Sequence, residues 1–600
     1  MKNLTTDTLI PAAWLLPRGR RSSRFIIVAA ALCRVVSGGS EAAVGTVNTA
    51  AMANVPDAAL SLVEALAYFN GSLGRALSPE EALLVTGPLG VGDRIHFAIP
   101  GAGPHLLPVP PGGLRVRRGG LTIDGYTQPG ASACTRPADE PNDAVLRVVL
   151  DGRTGNHTGQ PEDGEGRILV INAPDVTIRG LSVLSVHTTA EGGENYGIGW
   201  GAEGARGRIS GCWIGVHPDA ATVAGGEVGV SAFETDGGHL VGTDADGIDD
   251  AAERNVIAGF NVQTMVEDAT ECVIAGNFLG VMPDGRRTIP QEVEDLVTEG
   301  DAVGGGNLDG LVVGSPAVGA LRPAAMNIIG GQKDEVVQFY YGANRRVVIR
   351  GNRCGLGTDG RTPLPSGRFY NPSAADVLIT DNVLAHHSRP LINLRGRVVH
   401  RRNIMTGNAD LFTGEDLSLL AAETGDPRPA PHVDPLLAGA GRLRATLPLP
   451  ADPSLTPLIV EVSWSPLAET PSQSRLHLLT FADNGLLDAD PALGAVDAAL
   501  SAAGLPSMGP GVLLVTATAV ASDGSGSTSV FSEPVAFNLP SPILEIARVG
   551  GDVRVSWSGT GWELESSTDP AGGAWEAVSG SSPLLVPPTA ARRFFRLRLR

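Results

Sequence analysis

Lysine is nearly missing from this chain: among 600 residues, only Lys2 and Lys333 carry an ammonium group. A catalytic cation would therefore have to be Arg or His. Cationic charge as a whole is scarce, with 45 Lys and Arg against 64 Asp and Glu and a net charge of −19. That balance argues against a nucleic-acid binder, because phosphates would be repelled rather than neutralised. Aromatic residues make up only 4%, while hydrophobic residues reach 42%. The core must then be aliphatic and rich in small residues, as in stacked β structure. Cysteines number five and never stand as C-x-x-C, which argues against a zinc site. Cys134, Cys212, Cys272 and Cys354 read as buried small hydrophobes. Long apolar runs are also missing. The run Phe25 to Leu32 is too short to span a bilayer as a helix. Arg18, Arg20, Arg21 and Arg24 precede it, and Ser40-Glu41-Ala42 follows with small residues at cleavage spacing. Residues 1–42 therefore read as an export leader.

What the chain has in quantity is Gly, 78 residues, and Pro, 44. Its length calls for several domains. One phrase recurs: "GNFLGVMPDG" (276–285), "GNRCGLGTDG" (351–360), "GCWIGVHPDA" (211–220) and "GHLVGTDADG" (238–247). In each, Gly is followed four residues on by Gly and eight on by Asp. A second phrase, Ile-x-Gly or Ile-x-Asp, begins at Ile123, Ile178, Ile209, Ile257, Ile274, Ile349 and Ile379. "VTIRG" alternates with period two, as a half-buried strand does. Gly then permits a bend, and Asn277, Asn352 and Asn382 follow at the equivalent step. One such turn cannot bury its own apolar face, so copies must stack into a coil with insertions looping out. The Asn residues are expected to form a ladder that satisfies buried amides.

Two look-alikes are set aside. "GLGTDG" (355–360) fits a dinucleotide fingerprint, but Pro363 and Pro365 follow where a helix would have to begin. "DADGIDD" (244–250) resembles a calcium loop without the EF-hand spacing. Asp244, Asp246, Asp249 and Asp250 are kept as a candidate calcium site, beside a plain turn reading.

The flanks differ from the repeats. Ser61 and Glu64 form a capping box, and Leu62, Ala65, Leu66 and Phe69 make one apolar helical face suited to sealing the end of a stack. Ser78-Pro79 opens another short helix. The expected organisation is leader 1–42, cap region 43–115, right-handed parallel β-helix 116–410 and Pro-rich linker 411–450. A β-sandwich over 451–538 and a small all-β module over 541–600 complete it.

"SLVEAL" (61–66), "IHFAIPGAGPHLL" (95–107) and "LTIDGYTQPGAS" (121–132) together resemble the head of a family of exported bacterial parallel β-helix proteins. Its hallmarks are S-L-R-E-A-I, I-x-F-x-I-P-G and T-I-D-G-Y-T-Q-P-G, with Val63 here in place of the usual Arg. "VTATAVASDGSGSTSVFSEPV" (515–535) resembles a sandwich domain that often follows such helices. The resemblance implies architecture and export, and carries no catalytic residues. Polygalacturonases share the fold and use N-T-D, D-D, G-H-G and R-I-K. Here only Asp249-Asp250 answers that pattern, and Gly238-His239-Leu240 breaks the G-H-G.

These readings converge on a secreted or cell-surface protein that binds a polysaccharide or surface polymer without turnover. Trp200, Trp213, Tyr340 and Tyr341 are the candidate stacking faces for sugar rings. A polysaccharide lyase or glycoside hydrolase, with Asp249 and Asp250 as acids, and a structural adhesin or spacer are the alternatives. Arg350, Arg353 and the pair His386-His387 complete the groups whose chemistry would matter to them.

Overall fold

The computed structural model describes residues 42–599 apart from internal segments, the longest being 154–165, 186–194, 290–299, 409–429, 467–475 and 501–509. All but the last residue of the expected leader lies outside the described residues. The described residues pack as two units, the first reaching Asn403 and the second holding most residues from 426 onward.

The first unit is a parallel β-helix. Its strands gather into three sheets of twelve, ten and eight strands. One turn takes Val273–Ala275 on the first sheet, Phe278–Leu279 on the second and Val303–Gly306 on the third. It returns to the first sheet at Val312–Gly314. The stack starts earlier than residue 116, since Arg94–Phe97, His105–Pro108 and Leu114–Val116 already make a full turn.

The inward row of the first sheet is one aliphatic ladder. Ile95, Ile123, Ile178, Ile209, Val241, Ile274, Val313, Ile349 and Ile379 are paired in register from strand to strand. All are buried. Parallel strands in register place each branched side chain directly on the next, so no single turn exposes it. Ile257 departs from the expectation. It lies on the second sheet, between Ile214 and Leu279.

The recurring phrase is now explained for three of its copies. Gly276 (φ 74°) turns the chain from the first sheet to the second, and Gly280 (φ 71°) ends the short strand between. Both need the left-handed region, which Gly enters without strain. The Asp then builds a hairpin that leaves the coil: Asp284 accepts from the amides of Arg286 and Arg287, and Val281 bridges Thr288. Asp219 and Asp359 repeat this with Ala221, Thr222, Arg361 and Thr362. The fourth copy is a coincidence of spacing. Its strand, Leu240–Gly242, sits on the first sheet, and Asp246 caps the amide of Ile248 in a longer insertion.

The Asn ladder runs along the corner between the first and second sheets. The side-chain amide of Asn255 donates to Asn277, Asn277 to Asn327, Asn327 to Asn352, Asn352 to Asn382 and Asn382 to Asn403. Each also donates to a backbone carbonyl of a preceding turn or strand. At the other end, the helix Leu62–Phe69 carries the expected capping box. Its Asn70 cap donates to the carbonyl of Arg115 and accepts from the amide of Arg117. It thereby occupies the free edge of the strand Leu114–Val116, a position that otherwise invites another chain.

In the second unit, antiparallel strands form a sandwich. A three-stranded sheet (His432–Val433, Arg442–Thr446, Ala495–Ala499) and a five-stranded sheet built on Ile459–Pro466 and Pro510–Val520 share one core, with Leu443 and Val496 from one and Val460 and Val515 from the other. Its first strands fall in the segment read as linker. Residues 544–599 form two further three-stranded sheets around Val555, Leu564 and Val586.

Candidate functional site

The outer face of the third sheet carries a feature assembled from three separate turns of chain. Between Val303–Gly306 and Glu335–Tyr341 the pairing slips: Gly305 faces Phe339, and Gly306 faces Tyr341. Tyr340 is the extra residue of a bulge, so two successive tyrosines leave the usual alternation and both rings stay accessible. They are 39% and 43% exposed. The rings lie over glycines. A Cβ on Gly304 would come within 2.8 Å of the Tyr340 hydroxyl, and one on Gly306 within 3.0 Å of the Tyr341 ring. Only a strand without side chains there lets the rings lie down on it.

Carboxylates fix the phenols. The Tyr340 hydroxyl donates to Asp301 Oδ2 at 2.6 Å, and the Tyr341 hydroxyl donates to Asp268 Oδ2 at 3.2 Å. Burial and the neighbouring Asp301 carboxylate push the Tyr340 phenol well above its usual range. Burial, with Glu267 and Asp268, does the same to Tyr341. Both therefore remain donors. Asp301 is buried and also accepts from the amide of Glu335. Burial, reinforced by the Glu335 and Asp334 carboxylates against the Tyr340 hydrogen bond, raises it to about 7.

That shift has a testable sign. A carboxyl whose folded value lies above its unfolded value of 3.8 binds more protons when folded, so its contribution to stability falls as pH rises from about 4 to about 7. The stability difference between the native chain and Asp301→Asn should drop by on the order of 3 kcal/mol across that window. Urea titrations of both proteins at pH 4, 5.5 and 8 measure it. A constant difference would place Asp301 in a solvated environment instead.

The acidic segment 244–250 resolves differently. Asp244 and Asp250 come together with Glu253, their ligand atoms within 4.8 Å of one another, while Asp246 and Asp249 stand outside the group. The Arg208 guanidinium already bonds Glu253 at 2.6 Å and Asp244 at 3.1 Å. Asp250 accepts from the Thr243 hydroxyl and the Gly247 amide, and Asp249 adopts a positive φ in the same turn. These are bonds that hold a loop.

This loop forms one wall of a cavity of about 770 Å³, where three insertions meet beside the corner of the coil. Asp250, Arg254, Arg322, Met326 and Arg353 line it. Its cations are committed to backbone carbonyls. Arg254 donates to those of Glu140 and Arg136, Arg322 to that of Asp244, and Arg353 to that of Thr358. Arg350 pairs with Asp381 at 2.9 Å and ties down the carbonyl of Pro316.

The expected tryptophan faces are not at the surface. Trp200 is 1% exposed and stacks on His239 at 4.2 Å, and Trp213 is 4% exposed inside a hydrophobic cluster with Val256 and Phe278. Their strands, Asn195–Trp200 and Trp213–Ile214, are fully buried, which leaves no ring for a polymer. His387 is likewise buried, and desolvation lowers it to about 3, so it is neutral at ordinary pH. The four described cysteines are free and buried, and desolvation raises Cys212 to about 12 and Cys272 to about 11. They are inert packing groups. Asp268, Asp301, Gly304 and Gly306 escaped the sequence reading. The triple glycine within "VGGG" was the signal, since glycines inside a strand mark a bulge or a close approach.

No family model and no curated protein matches the chain. Among solved structures, the Dettilon tailspike protein aligns over 82% of this chain and 84% of its own, at 9% identity and a TM-score of 0.24. A tailspike protein of Acinetobacter baumannii bacteriophage Fri1, a capsular polysaccharide depolymerase, aligns over 74% of this chain and 80% of its own. Its identity is also 9%, and its TM-score is 0.19.

Proposed function

We propose that the chain is an exported β-helix protein that holds a polysaccharide across the outer face of its third sheet without cleaving it. The observation that carries this reading is the Tyr340–Tyr341 platform. Two accessible rings rest on a glycine floor, and carboxylates fix their hydroxyls. Rigid aromatic faces with little side-chain entropy to lose suit the C–H faces of sugar rings. Glu267 and Asp268 beside them supply acceptors for sugar hydroxyls. The negative surroundings favour a neutral polymer over a strongly anionic one. Calcium would bind the Asp244, Asp250 and Glu253 carboxylates only by displacing Arg208, so the expected calcium dependence is slight.

The test is affinity electrophoresis of the purified chain in gels cast with plant, algal and bacterial polysaccharides, with and without calcium. At least one neutral polymer should retard it. Tyr341→Ala should weaken that interaction tenfold to hundredfold, about 1.4–2.7 kcal/mol, with an unchanged melting temperature. Retardation indifferent to Tyr341 would remove the platform from the site. Reducing ends or unsaturated products released in parallel incubations would replace the binding reading with an enzymatic one.

A further inference from the structure

A second opening lies at the start of the same strands, a cavity of about 260 Å³. Gln263, Ser366 and Phe260 line it, and four of the remaining lining residues are glycines, Gly300 among them. Gln263 and Ser366 are each 3% exposed. Gln263 Nε2 donates to the carbonyl of Phe260, while Gln263 Oε1 and Ser366 Oγ have no hydrogen-bond partner. Buried polar atoms left without partners are rare and costly, and they mark a place where a water or a ligand completes the structure. The cavity lies close to the tyrosine platform along the chain. The Gln263 backbone N–H donates to the carbonyl of Asp301, Gly300 precedes Asp301, and Asp301 holds the Tyr340 hydroxyl.

We infer that this cavity is a pocket for one neutral sugar ring of the bound polysaccharide, held by Gln263 Oε1 and Ser366 Oγ above the Phe260 side. The inference rests on the polysaccharide-binding reading and names what that site selects. Its volume lies below the usual range for drug-sized ligands, about 300–1,000 Å³, and suits a single ring. An amide oxygen and a hydroxyl accept from and donate to hydroxyl groups without carrying charge. Lys333 is the one cation on the lining, and Asp334 beside it is paired with Arg389 at 2.8 Å, so selection of a neutral ring rests on the uncharged Gln263 Oε1 and Ser366 Oγ.

Calorimetric titration of the full chain with glucose, galactose, mannose and N-acetylglucosamine, with glucuronate for comparison, tests the pocket. One neutral sugar should bind, and more tightly than glucuronate. Ser366→Ala should weaken it five- to twentyfold. Ser388→Phe, at the exposed rim of the cavity, should abolish it without changing the melting temperature. Tyr341→Ala should leave the monosaccharide affinity intact while weakening the polymer. Polymer binding that depends on Tyr341 with no monosaccharide bound would overturn the pocket and leave the platform standing. Monosaccharide binding without polymer binding would do the reverse. Crystals soaked in sugar whose cavity holds only ordered water, or a Ser388→Phe variant that binds as the native chain does, would also overturn the inference.

Discussion

Ile274→Asp should cost the coil about 5 kcal/mol, enough to unfold it at ambient temperature or to leave it barely folded. Ile274 is fully buried in the middle of the aliphatic ladder, with Val241 on one side and Val313 on the other. An aspartate there would lie between the branched aliphatic side chains of Val241 and Val313 in the ladder. It would either remain charged without a partner or take up a proton at a cost of several kcal/mol. It would also leave a void, since Asp is smaller than Ile. Ile274→Val is the control. The two adjacent rungs are already Val, so this change should cost only about 1 kcal/mol. Urea unfolding followed by far-UV circular dichroism separates the two. An Asp variant that melts with the native chain would mean that this row faces solvent.

How far the fold can be read in advance depends on whether its signal is local. The Ile-x-Gly phrase is local, and six of its seven occurrences lie on the inward row. Ile257 has the same neighbours and lies on another sheet. It follows the insertion 243–255, and the length of an insertion determines where the chain rejoins the stack. Val241 and Val313 occupy the ladder without the phrase, because a branched side chain suffices once neighbours above and below are in register. The same logic separates the Asn residues. Asn277, Asn352 and Asn382 follow the corner Gly or Asp and were legible. Asn255 and Asn327 re-enter the corner after insertions, behind Arg254 and Met326, and only stacking reveals them.

The candidate site was legible in part for a related reason. Tyr340-Tyr341 stands out as an aromatic pair in a chain poor in aromatics, but the glycine floor and Asp301 come from the previous turn, and Asp268 from the turn before it. Chemistry made between turns leaves no contiguous motif. Trp200 and Trp213 show the converse. A large ring in a sequence is as ready to fill a core as to meet a ligand, and only burial distinguishes the two. Of the acidic run 244–250, Asp244 and Asp250 come together with Glu253, which lies outside the run, because turn-forming and cation-binding carboxylates share a spacing and only folding sorts them.

Asn327→Ala should cost about 4 kcal/mol, far more than loss of an ordinary surface hydrogen bond. Asn327 makes four hydrogen bonds at once. Its Oδ1 accepts from the backbone amide of Asn277 at 2.8 Å and from the Asn277 side chain at 3.2 Å. Its Nδ2 donates to the carbonyl of Ile274 at 2.9 Å and to Asn352 Oδ1 at 2.8 Å. It is fully buried, so water cannot readily replace these partners. A single orphaned buried group costs about 1–3 kcal/mol, and a polarised chain of amides shares the damage with its neighbours. Position along the ladder should set the size of the effect. Asn403 accepts from the backbone and side chain of Asn382 and donates to the carbonyl of Ile379, and among the described residues the ladder ends there. Asn403→Ala should therefore cost about 1–2 kcal/mol. A double-mutant cycle of Asn327→Ala with Asn352→Ala should show coupling of about 1 kcal/mol or more, because each is the other's partner. Equal costs at 327 and 403, or additive effects at 327 and 352, would reduce the ladder to a row of independent amides.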